Sequence, residues 1–436
     1  MSRKLSAVTG VFILMYSFAL ASDTRIASLG YKSNFYVRDY HNITLFPSAV
    51  TNYKNTFFIE SLGMGQHVPS STETVPGTGM WRGGFFVKLT ERFSLGFILD
   101  SRREDISKSD TEFSGLGGLI ERTGIMTDMG LSQHDISGTE ASHRISMVGG
   151  MRMSSIDIGF SLTTHTSEMS YTNPETSDLN FSDELKSSLF TIGVSTKAGR
   201  RARLEGSIMY HNSDFRHVES ARDTAQYRSP SGYNSFGGSA RLFYAFTKRV
   251  ILVPFVNYIS GSSGYTSLVD DLSKNSNTKS YKESYSIYTA GLGFDILPTD
   301  RSMVIIAAGI TGRTNKTETV VIRGTAPLNH EYSYRAFPFI SAGFETNLTS
   351  WMGVRASCYE LLENLDVTNL FETGDNVTMK ESGFDAVFGL WFSLGKLTLD
   401  AIVDTGNKND FLHNPLQFFS NPESPLFSQI SLTYNF

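Results

Sequence analysis

The chain has one cysteine, Cys358, in 436 residues, so no disulfide can form within it. An exported chain without disulfides needs another source of stability. After residue 22, no apolar run approaches the roughly 20 residues that cross a bilayer as a helix. Charge is not one-sided either: 38 Lys and Arg stand against 43 Asp and Glu, a net charge of −5. That balance gives no electrostatic footprint for nucleic acid, and no such partner is expected. There is no cysteine cluster, no phosphate-binding Gly loop and no metal motif of useful spacing. No cofactor and no metal are expected.

What is present starts with an export signal. Arg3 and Lys4 precede an apolar stretch, Val11 to Phe18, and then Ala19-Leu20-Ala21. This is the layout of a secretory signal peptide over residues 1–21, with Ser22 as the first mature residue. The apolar stretch is short for a membrane anchor.

Beyond it, 38 Gly, 32 Phe and 19 Tyr accompany a recurrent alternation. Strand side chains alternate faces with a period of two. In "ARLEGSIMY", Ala202, Leu204, Ile208 and Tyr210 share one face, and Arg203, Glu205, Ser207 and His211 share the other. In "FGGSARLFYAF", Phe236, Leu242, Tyr244 and Phe246 oppose Ser239 and Arg241. "GFDAVFGLWFSL" sets Phe384, Phe388, Leu390 and Phe392 against Asp385 and Ser393, and "LTLDAIVD" sets Leu397, Leu399 and Val403 against Asp400 and Asp404. A soluble sandwich can alternate too, but it does not usually repeat aromatic-rich outer faces over so many strands. In a membrane barrel the apolar face meets lipid and the polar face meets the lumen.

Connections alternate in length. Short turns are expected at 90–92, 153–155, 199–201, 247–249, 298–302, 348–351 and 395–396. Longer polar stretches lie at 65–78, 103–142, 173–185, 213–233, 262–279, 321–330, 364–377 and 405–425. Short turns on one side and long loops on the other is the outer-membrane layout. In the longest of these, Phe113 to Leu131 clusters Leu, Ile and Met and is expected at the barrel mouth. Pro254 and Pro338 fall inside strand candidates, where bulges or kinks are expected. The fold class is thus all-β, a single transmembrane antiparallel barrel of about 14–16 strands over residues 55–436. The final strand "LFSQISLTYNF" puts Tyr434 and Phe436 on its apolar face, and Phe436 is expected to pair near 55–64 on the periplasmic side.

Two constellations carry candidate chemistry. His211 and Ser213 lie two apart on one strand face, a spacing at which a base can activate a hydroxyl. Without an identifiable third residue, a hydrated rim histidine is the expectation and catalytic residues are not. The polar faces also hold Asp157, Arg203, Glu205, Arg241, Arg335, Arg355, Asp385, Asp400 and Asp404, of mixed sign. These are expected to face the lumen and pair with one another, since buried charges need partners. Rimming a pore to set ion selectivity is the alternative.

Residues 22–54 do not alternate cleanly. They contain "VRDYHNITLFPSAVTNYKN", in which Asp39, Asn42, Pro47 and Ser48 resemble the motif closing the N-terminal hatch of the long-chain fatty-acid transporter family of outer-membrane proteins. Phe46 stands where that family usually has Asn, and Ser48 where it has Ala. The hairpin "MWRGGFFVKLTERFSLGFILD", Met80 to Asp100, is similar to the family's as well. The resemblance covers roughly residues 38–102. It implies that residues 22–54 form a plug inside the barrel, with Asn42 and Pro47 near the lumen wall. It further implies a transporter for hydrophobic small molecules such as fatty acids, in the cell outer membrane of a Gram-negative-type bacterium. Outer-membrane lipids, the hydrophobic ligand and the barrel-assembly machinery, which reads a terminal aromatic strand, are the implied partners. A general pore, a structural barrel and a lipid-modifying enzyme are the alternatives.

Overall fold

The computed structural model describes residues 23–30, 33–53, 55–64, 79–107, 137–172, 180–221, 224–271, 277–321, 329–368, 377–403 and 427–436. The expected signal peptide and the Phe113 to Leu131 cluster lie outside the described residues.

Sixteen strands are found among the described residues. They are β1 (Thr56–Met64), β2 (Gly79–Lys88), β3 (Phe93–Ser107), β4 (Ser137–Met153), β5 (Ile156–Thr172) and β6 (Asn180–Ala198). Then come β7 (Ala202–Ala221), β8 (Thr224–Ala245), β9 (Val250–Asp271), β10 (Asn277–Thr299) and β11 (Ser302–Val321). The last are β12 (Asn329–Asn347), β13 (Met352–Thr368), β14 (Val377–Leu394), β15 (Leu397–Val403) and β16 (Phe427–Asn435). Each is antiparallel to its sequence neighbours, and β16 pairs with β1 to close the barrel. Closure satisfies the edge that would otherwise expose unpaired backbone groups. The seam runs from Leu62↔Gln429 to Thr56↔Asn435, and the Phe436 amide donates to the Asn55 carbonyl at 2.9 Å.

All seven expected short turns connect strands at one end of the barrel. The long polar stretches need correction. Most of 213–233 and 262–279 is strand, as are 180–185 and 364–368; β7, for example, continues to Ala221 and β8 begins at Thr224. There the hydrogen-bonded ribbon stands above the apolar band. The sequence alternation fades while the backbone ladder continues.

Alternation decides which side chains face in. On β1, Phe57 and Ile59 are 43% and 45% exposed, while Thr56, Phe58 and Glu60 are buried. Exposed Leu204, Ile208 and Tyr210 on β7 alternate with buried Arg203, Glu205, Met209 and His211. At the short-turn rim, Phe246, Trp351, Tyr434 and Phe436 are exposed.

The two prolines behave differently. Pro338 sits where the register shifts between Ala336 and Phe339 in the pairing with β13, and a matching shift falls between Gly309 and Thr311 in the pairing of β11 with β12. Pro254 produces no register shift, so the bulge is absent there. It stays in register opposite Leu292, and on its β8 side pairs resume at Tyr244↔Leu252 in the register left at Arg241↔Phe255. Proline removes a donor from a ladder without needing an inserted residue.

Candidate functional site

The described part of the N-terminal segment is two short helices, Asp23–Ser28 and Ser33–Tyr36, then two 3-10 turns, Tyr40–Ile43 and Pro47–Asn52. Asp39 caps the first turn, accepting from the His41 amide at 3.2 Å. Pro47 opens the second, where a missing N–H costs nothing. The segment meets inward-facing residues around the circumference. Val50 touches the Gly150 position on β4, Tyr36 that of Gly293 on β10, and Ser28 that of Gly389 on β14. At Gly159 an added Cβ would strike the Pro47 and Ser48 backbone, and at Gly343 it would lie 2.6 Å from the Leu29 carbonyl oxygen. Glycine lets backbone approach backbone here. Tyr40 packs against Phe58 and Phe86, and its hydroxyl donates to Glu60 at 2.5 Å.

Two ion-pair networks join segment to wall. In the first, Arg25 bonds Glu345 at 2.8 Å and Asp39 at 3.3 Å, Glu345 also bonds Arg355 at 2.7 Å, and Arg355 bonds Asp400 at 2.5 Å. In the second, Asp157 lies between Arg152 (2.9 Å) and Arg203 (2.8 Å), and Glu205 collects Arg203 (3.3 Å), Arg241 (2.8 Å) and Arg38 (3.0 Å). Arg241 also donates to the Phe35 and Val37 carbonyls at 3.2 and 3.0 Å and lies 4.1 Å over the Phe46 ring. Charges this buried depend on such partners, because truncating one strands the other. Within the segment, burial pushes the Asp39 carboxyl up to about 7 against the pull of Arg25. Burial opposes the charge of Arg25, yet Glu345 and Asp39 together hold the guanidinium above its ordinary value. Burial, with Arg82 alongside, keeps the His41 imidazole well below its usual range.

The residues singled out in the sequence fall as follows. Arg203, Glu205, Arg241, Arg355 and Asp400 are buried and joined in these networks, with Asp39. Asn42 is buried and donates to the Val37 carbonyl at 2.7 Å, which folds the segment on itself. Pro47 lies against Gly159 and Gly193, and Ser48 is buried beside it. Tyr434 opposes Phe57 at the seam. The side chains of Asp385, Asp404 and Ser213 lie outside the described residues.

Arg335 is a correction. It is exposed, and the ladder puts it beside Gly312 and Tyr288 on the outward face. Below the Pro338 bulge the odd-numbered Phe339, Ser341 and Glu345 face in; above it the even-numbered Ala336 does. A shift of one residue moves a side chain to the other face. His211 is also corrected: it is buried, not a hydrated rim residue. Sequence reading missed Arg25, Arg38, Glu60 and Glu345. Arg25 beside Ile26 and Arg38 beside the apolar Phe35-Tyr36-Val37 were a usable signal, because charges drawn in with such neighbours demand partners.

A closed barrel with no free edge, an apolar exposed face and aromatics at the short-turn rim defines a transmembrane β-barrel of the outer-membrane type. No family model matches the chain, and no curated protein matches it. Solved structures with similarity include the ferric yersiniabactin uptake receptor FyuA from Yersinia pestis, at 9% identity and a TM-score of 0.40, covering 87% of this chain and 75% of that one. The ferric citrate transporter FecA in its unliganded form has 11% identity and a TM-score of 0.41, with 80% of this chain and 59% of that one covered. A Pseudomonas aeruginosa FadL homologue has 11% identity and a TM-score of 0.39, covering 90% of this chain and 93% of that one. Likeness this distant carries nothing about substrate, and the assignment of class rests on the barrel's geometry.

Proposed function

We propose that the barrel takes up hydrophobic small molecules, fatty acids among them, across the outer membrane of a Gram-negative-type bacterium. The observation that carries this reading is a continuous apolar cluster within the lumen. It joins Phe35, Tyr36 and Phe46 of the segment to Met209, Ile259 and Phe339 of the wall. A water-filled pore would present polar side chains there. In this reading residues 22–54 are a plug, locked by Arg25 to Glu345 and by Arg241 to the segment's carbonyls. The similarity of its motif to the fatty-acid transporter family supports the same reading. Outer-membrane lipids surround the wall, and assembly machinery engages the strand ending at Phe436.

Single-channel recording on the full chain and on a deletion of 23–50 tests it, with extraction of co-purified lipid. The intact protein conducts little, the deletion conducts steadily, and an apolar ligand co-purifies. Equal conductance in the two proteins with no bound apolar molecule sinks the proposal; steady conductance by the intact protein favours a general pore.

A further inference from the structure

One row of inward-facing residues runs in register across five strands, one step further from the short turns than Met209 and Ile259 of the apolar cluster. His211 on β7 lies opposite Ser235 on β8, Ser235 opposite Gly261 on β9, Gly261 opposite Tyr285 on β10, and Tyr285 opposite Asn315 on β11. His211, Ser235 and Tyr285 are only 6%, 1% and 7% exposed. Yet His211 Nδ1, Ser235 Oγ, the Tyr285 hydroxyl and Asn315 Oδ1 are all buried atoms without a hydrogen-bond partner. The Tyr285 hydroxyl lies close to Ser235. Gly261 makes the approach possible, since a Cβ there would lie 2.6 Å from the Ser235 Cβ and 2.8 Å from the Tyr285 ring.

The rows nearer the short-turn end differ. In the next row, Met209, Gly237, Ile259 and Ile287 follow one another across the same strands and are mostly apolar. One step further, Ser239 donates to Asn257 at 2.7 Å, and Thr289 and Thr311 bond at 3.0 Å. So at the Asn257 and Thr289 level four inward polar side chains bond in pairs, with Ser207 Oγ on β7 left open, whereas all four polar atoms named in the His211 row are open. Leaving several adjacent buried polar atoms open opposes folding unless something else fills them.

We propose that the row from His211 to Asn315 binds the polar end of an amphipathic molecule, with its tail on Met209, Ile259 and Ile287. The proposal rests on the uptake reading above and adds which end of the cargo is held. The polar end is uncharged and hydrogen-bonding, such as an alcohol. The row itself contains no Asp, Glu, Lys or Arg, and Arg313, which pairs with Ile287 in the adjacent row, is already engaged. Imidazole, two hydroxyls and an amide can donate to and accept from such a group.

The test uses the full chain in lipid nanodiscs, with empty nanodiscs subtracting partition into lipid. Retention of labelled 1-dodecanol, dodecane and laurate is measured for the wild type, Tyr285→Phe and Gly261→Ala. The first variant removes one oxygen; the second keeps every polar atom but displaces the ring. Wild type should hold dodecanol more tightly than dodecane, and each variant should lose roughly fivefold of that preference, the worth of about one hydrogen bond. Dodecane affinity should not change. An unchanged preference in both variants overturns the assignment, as does dodecane retained as well as dodecanol by the wild type; either leaves apolar uptake standing. Laurate held more tightly than dodecanol at pH 9 overturns the uncharged polar end. Retention of none of the three overturns the uptake reading and this site with it.

Discussion

Asp39→Asn isolates one electrostatic contribution to holding the N-terminal segment in place. The Asp39 carboxyl is buried, capped by the His41 amide at 3.2 Å and paired with Arg25 at 3.3 Å. Its docked pKa is pushed up from 3.8 to about 7, by burial first, with Arg25 opposing. A released segment would carry an ordinary aspartate, so the docked state binds the proton more tightly. Docking is therefore strongest below about pH 4, weakens as pH rises towards about 7, and levels off above that. The gap corresponds to on the order of 4 kcal/mol, about a thousandfold in the docking equilibrium. Asparagine still accepts from the capped amide but cannot ionise. Planar-bilayer conductance from pH 5 to 8 should rise with pH in the wild type, and that component should be absent in Asp39→Asn. Glu345, Asp400 and Glu60 also titrate nearby, so the difference between the two proteins is the readout. Parallel pH curves, or wild-type conductance that falls with pH, would refute the reasoning.

Three further outcomes are expected. Gly159→Ala pushes a Cβ into the Pro47 and Ser48 backbone and should cost about 1–3 kcal/mol of segment docking, read as faster proteolysis of the segment. Ile208→Arg places a charge on the outward face of β7, where the native side chain is 67% exposed; refolding into bilayers should lose about 2–4 kcal/mol, and an unchanged free energy would mean that face does not meet lipid. Phe436→Asp should lower the outer-membrane level of the protein while detergent refolding stays close to wild type, because the backbone amide still donates to the Asn55 carbonyl at the seam and the replaced ring is half exposed; equal membrane levels would make this aromatic an ordinary strand residue.

The sequence by itself determined the faces. Alternation is a local property of extended backbone, so "ARLEGSIMY" sufficed to separate Leu204 and Ile208 from Arg203 and Glu205. Turn positions were legible for the same reason, since alternation breaks at the short turns. Parity fails across a bulge, and a proline marks where one can fall without saying whether a residue is inserted: Pro338 lies at a shift and Pro254 does not, which is how Arg335 was assigned to the wrong face. The polar ribbons above the apolar band were read as loops because only a difference between the two faces makes a strand visible in sequence. Pairing was decided by the tertiary structure alone. Arg25 and Glu345 are 320 residues apart, and nothing near either one specifies the other. His211, Ser235 and Tyr285 become neighbours only because strand pairing fixes the register of β7 to β10. A buried charge announces in the sequence that it needs a partner; which partner it takes depends on the barrel closing around it.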